Sequence, residues 1–106
     1  MIEVKAKLWL EKDGKFILSA GRAEILRNIR ETGSLSEAAK SMNMSYSHAW
    51  SQVREMSRAA GGALVETSRG GKSGGGTRLT ELGKALLKRF GDEQGNMDRH
   101  LAKRNG

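Results

Sequence analysis

The stretch "GSLSEAAKSMNMSYSHAW", from Gly33 to Trp50, constrains the fold more than any other part of the chain. Gly33 supplies the left-handed residue that closes a preceding helix. Ser34, with Glu37 three residues on, is a capping-box start for the next one. Ala38, Ala39 and Met42 mark one apolar face of that short helix. Asn43 tolerates the left-handed turn that must follow it, and Ser45 opens a third helix. Two helices joined by so tight a turn cross closely, and a pair of alanines leaves room for the crossing.

The flanking segments read consistently with this. Ile2, Val4, Ala6, Leu8 and Leu10 alternate with polar residues and Trp9, the period-2 pattern of a half-buried strand. Asp13-Gly14 is a hairpin turn, and Phe16, Ile17 and Leu18 begin the return strand. Trp9 falls on the polar face, as a ring covering lysine stems or as a contact with another subunit. From Arg22 to Thr32 the spacing of Ala23, Leu26, Ile29 and Arg30 is helical. The third helix is expected to run to about Ala60 and to close at Gly61-Gly62. "ALVETS" (Ala63 to Ser68) is a short strand by composition, and Thr80 caps a last helix containing Leu82, Leu86, Leu87 and Phe90.

Between that strand and that cap lies "GGKSGGG", in which five of seven residues are glycine. A phosphate-binding loop would need glycine at the position of Glu66 and a helix directly after Lys72-Ser73; both are missing. A free linker fits poorly between two strand-like pieces, "ALVETS" and "TRL". A glycine-rich hairpin tip edged by Arg69, Lys72 and Arg78 fits, because bare backbone amides can approach a phosphate backbone closely. The run is read as a wing.

Projected at 100° per residue, the third helix gathers Tyr46, Ala49, Trp50, Val53 and Met56 on one face. The other carries Ser47, His48, Ser51, Glu55 and Arg58, with Gln52 and Arg54 at its edges. An amphipathic helix with a solvated side would look the same. The second position after a short Ala-Ala helix turns the pattern into a helix-turn-helix, whose second helix enters the major groove. His48 is then a groove-facing donor or acceptor. The other histidine, His100, is far along the chain, and there is no cysteine for a thiolate, a disulfide or a nucleophile. No metal, no cofactor and no enzymatic chemistry is expected.

Nineteen Lys and Arg against twelve Asp and Glu leave a net charge of +7, which points to a polyanionic partner, nucleic acid first and an acidic membrane surface second. The N-terminus has no apolar targeting core and no stretch approaches a membrane span, so a cytoplasmic protein is expected. The expected fold is mainly α with a small β wing: a winged helix-turn-helix with an N-terminal β-hairpin and a long C-terminal helix. Residues 1–79 would form the hairpin and winged unit, with the wing at about 63–79, and residues 80–106 the dimerisation helix with a frayed end, "AKRNG". In that helix Leu87, Phe90, Gln94, Met97 and Leu101 follow a heptad spacing, interrupted by Gly91 and Gly95. Trp9, Leu87, Phe90, Met97 and Leu101 are therefore the expected homodimer contacts.

"GSLSEAAKSMNMSYSHAWSQVREM" followed by "LVETSRGGKSGGGTRLTELGKALL" resembles the N-terminal DNA-binding domain of the ModE family of molybdate-responsive regulators, itself similar to LysR-type domains. The most specific parts are "SYSHAW", "LVETSRGGKSGGG" and "LTELG". The resemblance implies a homodimer on a palindromic operator. Base readers would be Ser45, Tyr46, Ser47, His48 and Ser51, to which the helical projection adds Gln52. Arg69, Lys72, Ser73 and Arg78 would hold the DNA backbone, with Arg54 beside them. The family's molybdate-binding domains have no counterpart before Gly106, so the expectation is a standalone DNA-binding domain that binds no oxyanion by itself. The competing expectation is a non-specific, architectural DNA binder on the same fold.

Overall fold

The computed structural model describes residues 1–68 and 76–106. Two antiparallel hairpins and four helices follow in the order β1 (Trp9–Lys12), β2 (Lys15–Ser19), α1 (Ala20–Thr32), α2 (Leu35–Ser41), α3 (Tyr46–Ala60), β3 (Val65–Ser68), β4 (Gly76–Leu79) and α4 (Glu81–Asn105). This is the winged helix-turn-helix expected from the sequence, with its leading hairpin and long last helix.

The helix boundaries are set by local chemistry. Gly33 and Gly61 close α1 and α3 at φ 70° and 82°. Ser34, Ser45 and Thr80 each accept the backbone N–H three residues on, from Glu37, His48 and Gly83, at 3.1 Å. Each bond satisfies one of the donors a helix start leaves unpaired. The capping box at Ser34 is half formed, because the Ser34 N–H donates to Thr32 Oγ1 at 3.2 Å. Asn43 takes φ 56°, and the Met42 and Met44 N–H groups both reach the Ala39 carbonyl, which folds α2 straight back into α3.

The core is one cluster drawn from every element except β1. Leu18, Ile25, Leu26, Ile29, Leu35, Val53, Met56 and Leu64 are its largest fully buried side chains. Ile25, beside the helical set read from the sequence, belongs to it, whereas Arg30 is exposed. Ala38, Ala39 and Ala49 are all buried at the α2–α3 crossing.

Three expectations are corrected. The N-terminal strand is far shorter than the alternation from Ile2 suggested. The tight turn at Asp13-Gly14 pairs Lys12 with Lys15 and, past a bulge at Leu10/Glu11, Trp9 with Ser19. A partner for Leu8 or anything before it would have to come from α1, which starts at Ala20. Ile2 and Val4 are accordingly exposed. Where a frayed tail was expected, α4 continues to Asn105, whose side chain binds the backbone of Val4. And Leu87 and Phe90, expected in a dimer seam, are 5% and 2% exposed within the single chain. The face of α4 that carries them packs on the chain's own core, so the first two seam positions are already occupied.

Candidate nucleic-acid interface

The outer face of α3 is built from its cap outward. Ser45 fixes the first turn by accepting the His48 N–H, and its own backbone is extended, so the chain enters the helix from the side. Ala49, Val53, Met56 and Ala60 seat the helix on the core, which leaves Ser47, His48, Ser51, Arg54, Glu55 and Arg58 exposed. Tyr46, grouped with the apolar face by spacing, is 54% exposed and sits on the outer rim, where the resemblance had placed it as a reader. Trp50 is half-buried beside it.

His48 and Gln52, one turn apart, are joined at 2.8 Å between His48 Nε2 and Gln52 Nε2. With the amide donating, the ring holds its proton on Nδ1; with the amide turned over, the ring donates instead. The pair can therefore present either donor or acceptor character, the property that base-edge recognition requires.

A shallow depression of about 290 Å³ runs along this face, lined by Tyr46, Ser47, Trp50, Ser51, Arg54, Glu55 and Arg58. A second, of about 380 Å³, is lined by Trp50, Val53, Arg54, Ser57, Arg58, Gly62, Ala63 and Val65, and so links α3 to the first strand of the wing. Arg54 and Arg58 border both, and neither has an ion-pair partner among the described residues.

The wing strands pair in the register Val65–Leu79, Glu66–Arg78, Thr67–Thr77 and Ser68–Gly76. The glycine run thus joins two hydrogen-bonded strands. Arg69, Lys72 and Ser73 lie outside the described residues. Arg78 is exposed, but its Nε donates to Glu66 Oε1 across the ladder at 2.7 Å, so part of its charge is already matched. The wing is stitched to the helix-turn-helix by two bonds: the Thr77 N–H donates to the Gly33 carbonyl at 2.9 Å, and the Leu35 N–H donates to Thr77 Oγ1 at 3.3 Å.

Of the residues expected in the interface, Ser47, His48, Ser51 and Arg54 are exposed on the outer face of α3, with Gln52 half-buried at one edge of it, Tyr46 at the other edge and Ser45 at the cap. The sequence reading missed Arg22. Its guanidinium lies 5.1 Å from the Phe16 ring centroid, donates to the Ile17 carbonyl at 3.3 Å, and forms an ion pair with Glu55. Arg22 and Glu55 are 33 residues apart, so no helical spacing rule could have connected them.

The expected seam residues separate. Trp9 is 47% exposed and its Nε1–H donates to Glu11 Oε2 at 2.8 Å. Met97 and Leu101 are half-buried on the distal part of α4. Among the described residues, no helix is long and apolar enough to cross a membrane.

The chain is similar to known proteins. The regulator ModE of Escherichia coli K12, described as a DNA-binding transcriptional dual regulator, is 34% identical over 89 residues, 84% of this chain and 34% of its own. The molybdenum-pterin-binding protein MopA of Rhodobacter capsulatus is 33% identical over 96 residues, 91% of this chain and 36% of its own. The chain therefore spans about a third of the length of these relatives. The crystal structure of ArgP from Mycobacterium tuberculosis superposes with a TM-score of 0.58 at 21% identity, over 77% of this chain and 29% of that one, which shows a shared fold. Residues 21–84, from the start of α1 into α4, match the helix-turn-helix family itself, and the ModE-like relatives extend the likeness beyond it. The chain belongs to the family of bacterial regulatory helix-turn-helix proteins of the lysR type.

Proposed function

We propose that the chain binds double-stranded DNA sequence-specifically, as a dimer, and regulates transcription. The carrying observation is the outer face of α3. A capped helix, seated on the core by Ala49, Val53, Met56 and Ala60, presents Tyr46, Ser47, the His48–Gln52 pair and Ser51 beside Arg54 and Arg58, which have no ion-pair partner among the described residues. Hydrogen-bonding side chains over the first turns read base edges, while cations along the rim bind phosphates whatever the sequence. The glycine run, with Arg69, Lys72 and Ser73, extends the phosphate contacts as a wing, and Arg78 joins them by exchanging Glu66 for a phosphate. The reading gives the chain no catalytic chemistry and places it in the cytoplasm with the DNA. The likeness to ModE supports it.

Selection from a random duplex pool, with and without molybdate and tungstate, tests this. A palindromic motif unaffected by either oxyanion is the expected result. Binding should weaken about 10³–10⁵-fold between 50 and 200 mM salt if six to ten phosphates are contacted. Salt-sensitive binding with no enriched motif would replace this reading with an architectural one.

A further inference from the structure

Glu55 is the one acid on α3, and it opens onto the same depression as Ser47, Ser51, Arg54 and Arg58. A carboxylate there would repel phosphates. It also sits three residues before Arg58, a spacing at which helical side chains meet. Left to itself, Glu55 would pair with Arg58 and withdraw that cation from DNA.

The structure prevents this from outside the helix. Arg22, at the start of α1, takes the Glu55 carboxylate; its side chain is 19% exposed, against 53% for Glu55. Arg22 is itself fixed from the leading hairpin, by the Phe16 ring beneath the guanidinium and by the Ile17 carbonyl. The same hairpin reaches the other end of α3, where Lys12 Nζ donates to the Ala60 carbonyl at 3.2 Å, a cation at a helix C-terminus. Phe16, Ile17 and Lys12 all precede the segment that matches the helix-turn-helix family, which begins at residue 21.

We infer that Arg22 is a positioning residue for DNA binding: held by the leading hairpin, it sequesters Glu55 so that Arg54 and Arg58 stay free for phosphates. This rests on the DNA-binding reading above and adds the hairpin to it. Arg22 need not touch DNA; its effect passes through Glu55.

The test is a cycle of Arg22→Gln, Glu55→Gln and the double variant, read as affinity for the selected duplex and as the salt dependence of binding. Arg22→Gln is expected to weaken binding roughly tenfold, since an unmasked carboxylate faces phosphates. It should also lower the salt slope by about one, because Arg58 is diverted. Glu55→Gln alone should stay within about threefold of the parent, and the double variant should recover both affinity and slope, because no carboxylate remains to be masked. Unfolding midpoints of all four proteins identify any variant that fails to fold. Arg22→Lys, which keeps the charge, serves as the second variant and should bind within about threefold of the parent.

A double variant that binds no better than Arg22→Gln, or whose slope stays low, would make Arg22 a phosphate contact and overturn the inference. Parent protein that binds no duplex would overturn the DNA-binding reading itself. Parent binding without rescue overturns only the role of Arg22.

Discussion

The Asn105 side chain completes the backbone of Val4 as a neighbouring strand would. Its Oδ1 accepts the Val4 N–H and its Nδ2 donates to the Val4 carbonyl, both at 2.9 Å. A single amide thus ties the exposed N-terminal arm to the last turn of α4, 101 residues away. Both bonds are exposed to water, so they hold the arm in place more than they stabilise the domain. Asn105→Ala should leave the unfolding free energy within about 0.5 kcal/mol of the parent while the Val4 amide loses its protection from hydrogen exchange. Unchanged protection would mean that something other than Asn105 holds the arm.

The proposed dimer can use α4 only through the distal half of the helix. Leu87 and Phe90 are committed to the core, so a dimer through this helix depends on Met97 and Leu101, with the Trp9 ring as a further contact. Replacing both Met97 and Leu101 by Glu would place like charges across a short seam. The expected outcome is a monomer by light scattering at micromolar concentration, with an unchanged circular dichroism spectrum. A dimer that survives the pair of substitutions would move the interface to the hairpin.

Local chemistry was legible in the sequence, and long-range pairing was not. The caps at Ser34, Ser45 and Thr80, the left-handed turns at Asn43 and Gly61 and the alanine crossing are all written in short-range residue types, and the structure contains each of them. The alternation from Ile2 misled because a strand also needs a partner, and the hairpin register gives residues before Trp9 none. The heptad spacing in α4 misled for a related reason. Periodicity reports that a face is apolar, and it cannot say whether the chain's own α1 or a second subunit covers it. Arg22 escaped notice because its partners, Phe16, Ile17 and Glu55, come together only in the folded chain.

Thr77 couples the wing to the helix-turn-helix through a buried hydroxyl that accepts the first N–H of α2. Valine has nearly the same shape and cannot accept a hydrogen bond. Thr77→Val should therefore cost about 1–3 kcal/mol, the penalty for leaving a buried donor unpaired. Thr77→Ser should recover most of it. Urea unfolding of the three proteins decides the matter, and a Thr77→Val protein as stable as the parent would show that the Leu35 N–H finds water.

Gly83 sits where α4 passes over the strand leaving α3. A Cβ built there would lie 2.2 Å from the Leu64 carbonyl oxygen, and that oxygen also accepts the Thr80 N–H at 3.0 Å. Alanine normally stabilises a helix relative to glycine by about 1 kcal/mol. Here backbone opposes backbone, and overpacking of about 1–3 kcal/mol or more outweighs the propensity gain. Gly83→Ala should lower the melting temperature, whereas Gly91→Ala, with open space around it, should raise it. If both substitutions raise it, α4 approaches the strand less closely than the structure describes.

Readers and phosphate contacts on α3 are separable by what they do to salt dependence. His48 engages Gln52, and Ser47 is exposed beside it, so removing either alters hydrogen bonding toward base edges without changing a formal charge at neutral imidazole. Ser47→Ala or His48→Ala should relax discrimination at particular base pairs by about 1–3 kcal/mol and leave the slope of log affinity against log salt unchanged. Arg54→Gln should act on every sequence alike and lower that slope by about one, because one phosphate contact releases about one counterion. Binding isotherms on the selected site and on single-base variants, at several salt concentrations, distinguish the two behaviours. A His48→Ala protein that loses slope while keeping its sequence preference would make His48 a phosphate contact, and would shift base reading toward Tyr46 and Ser47 at the start of the helix.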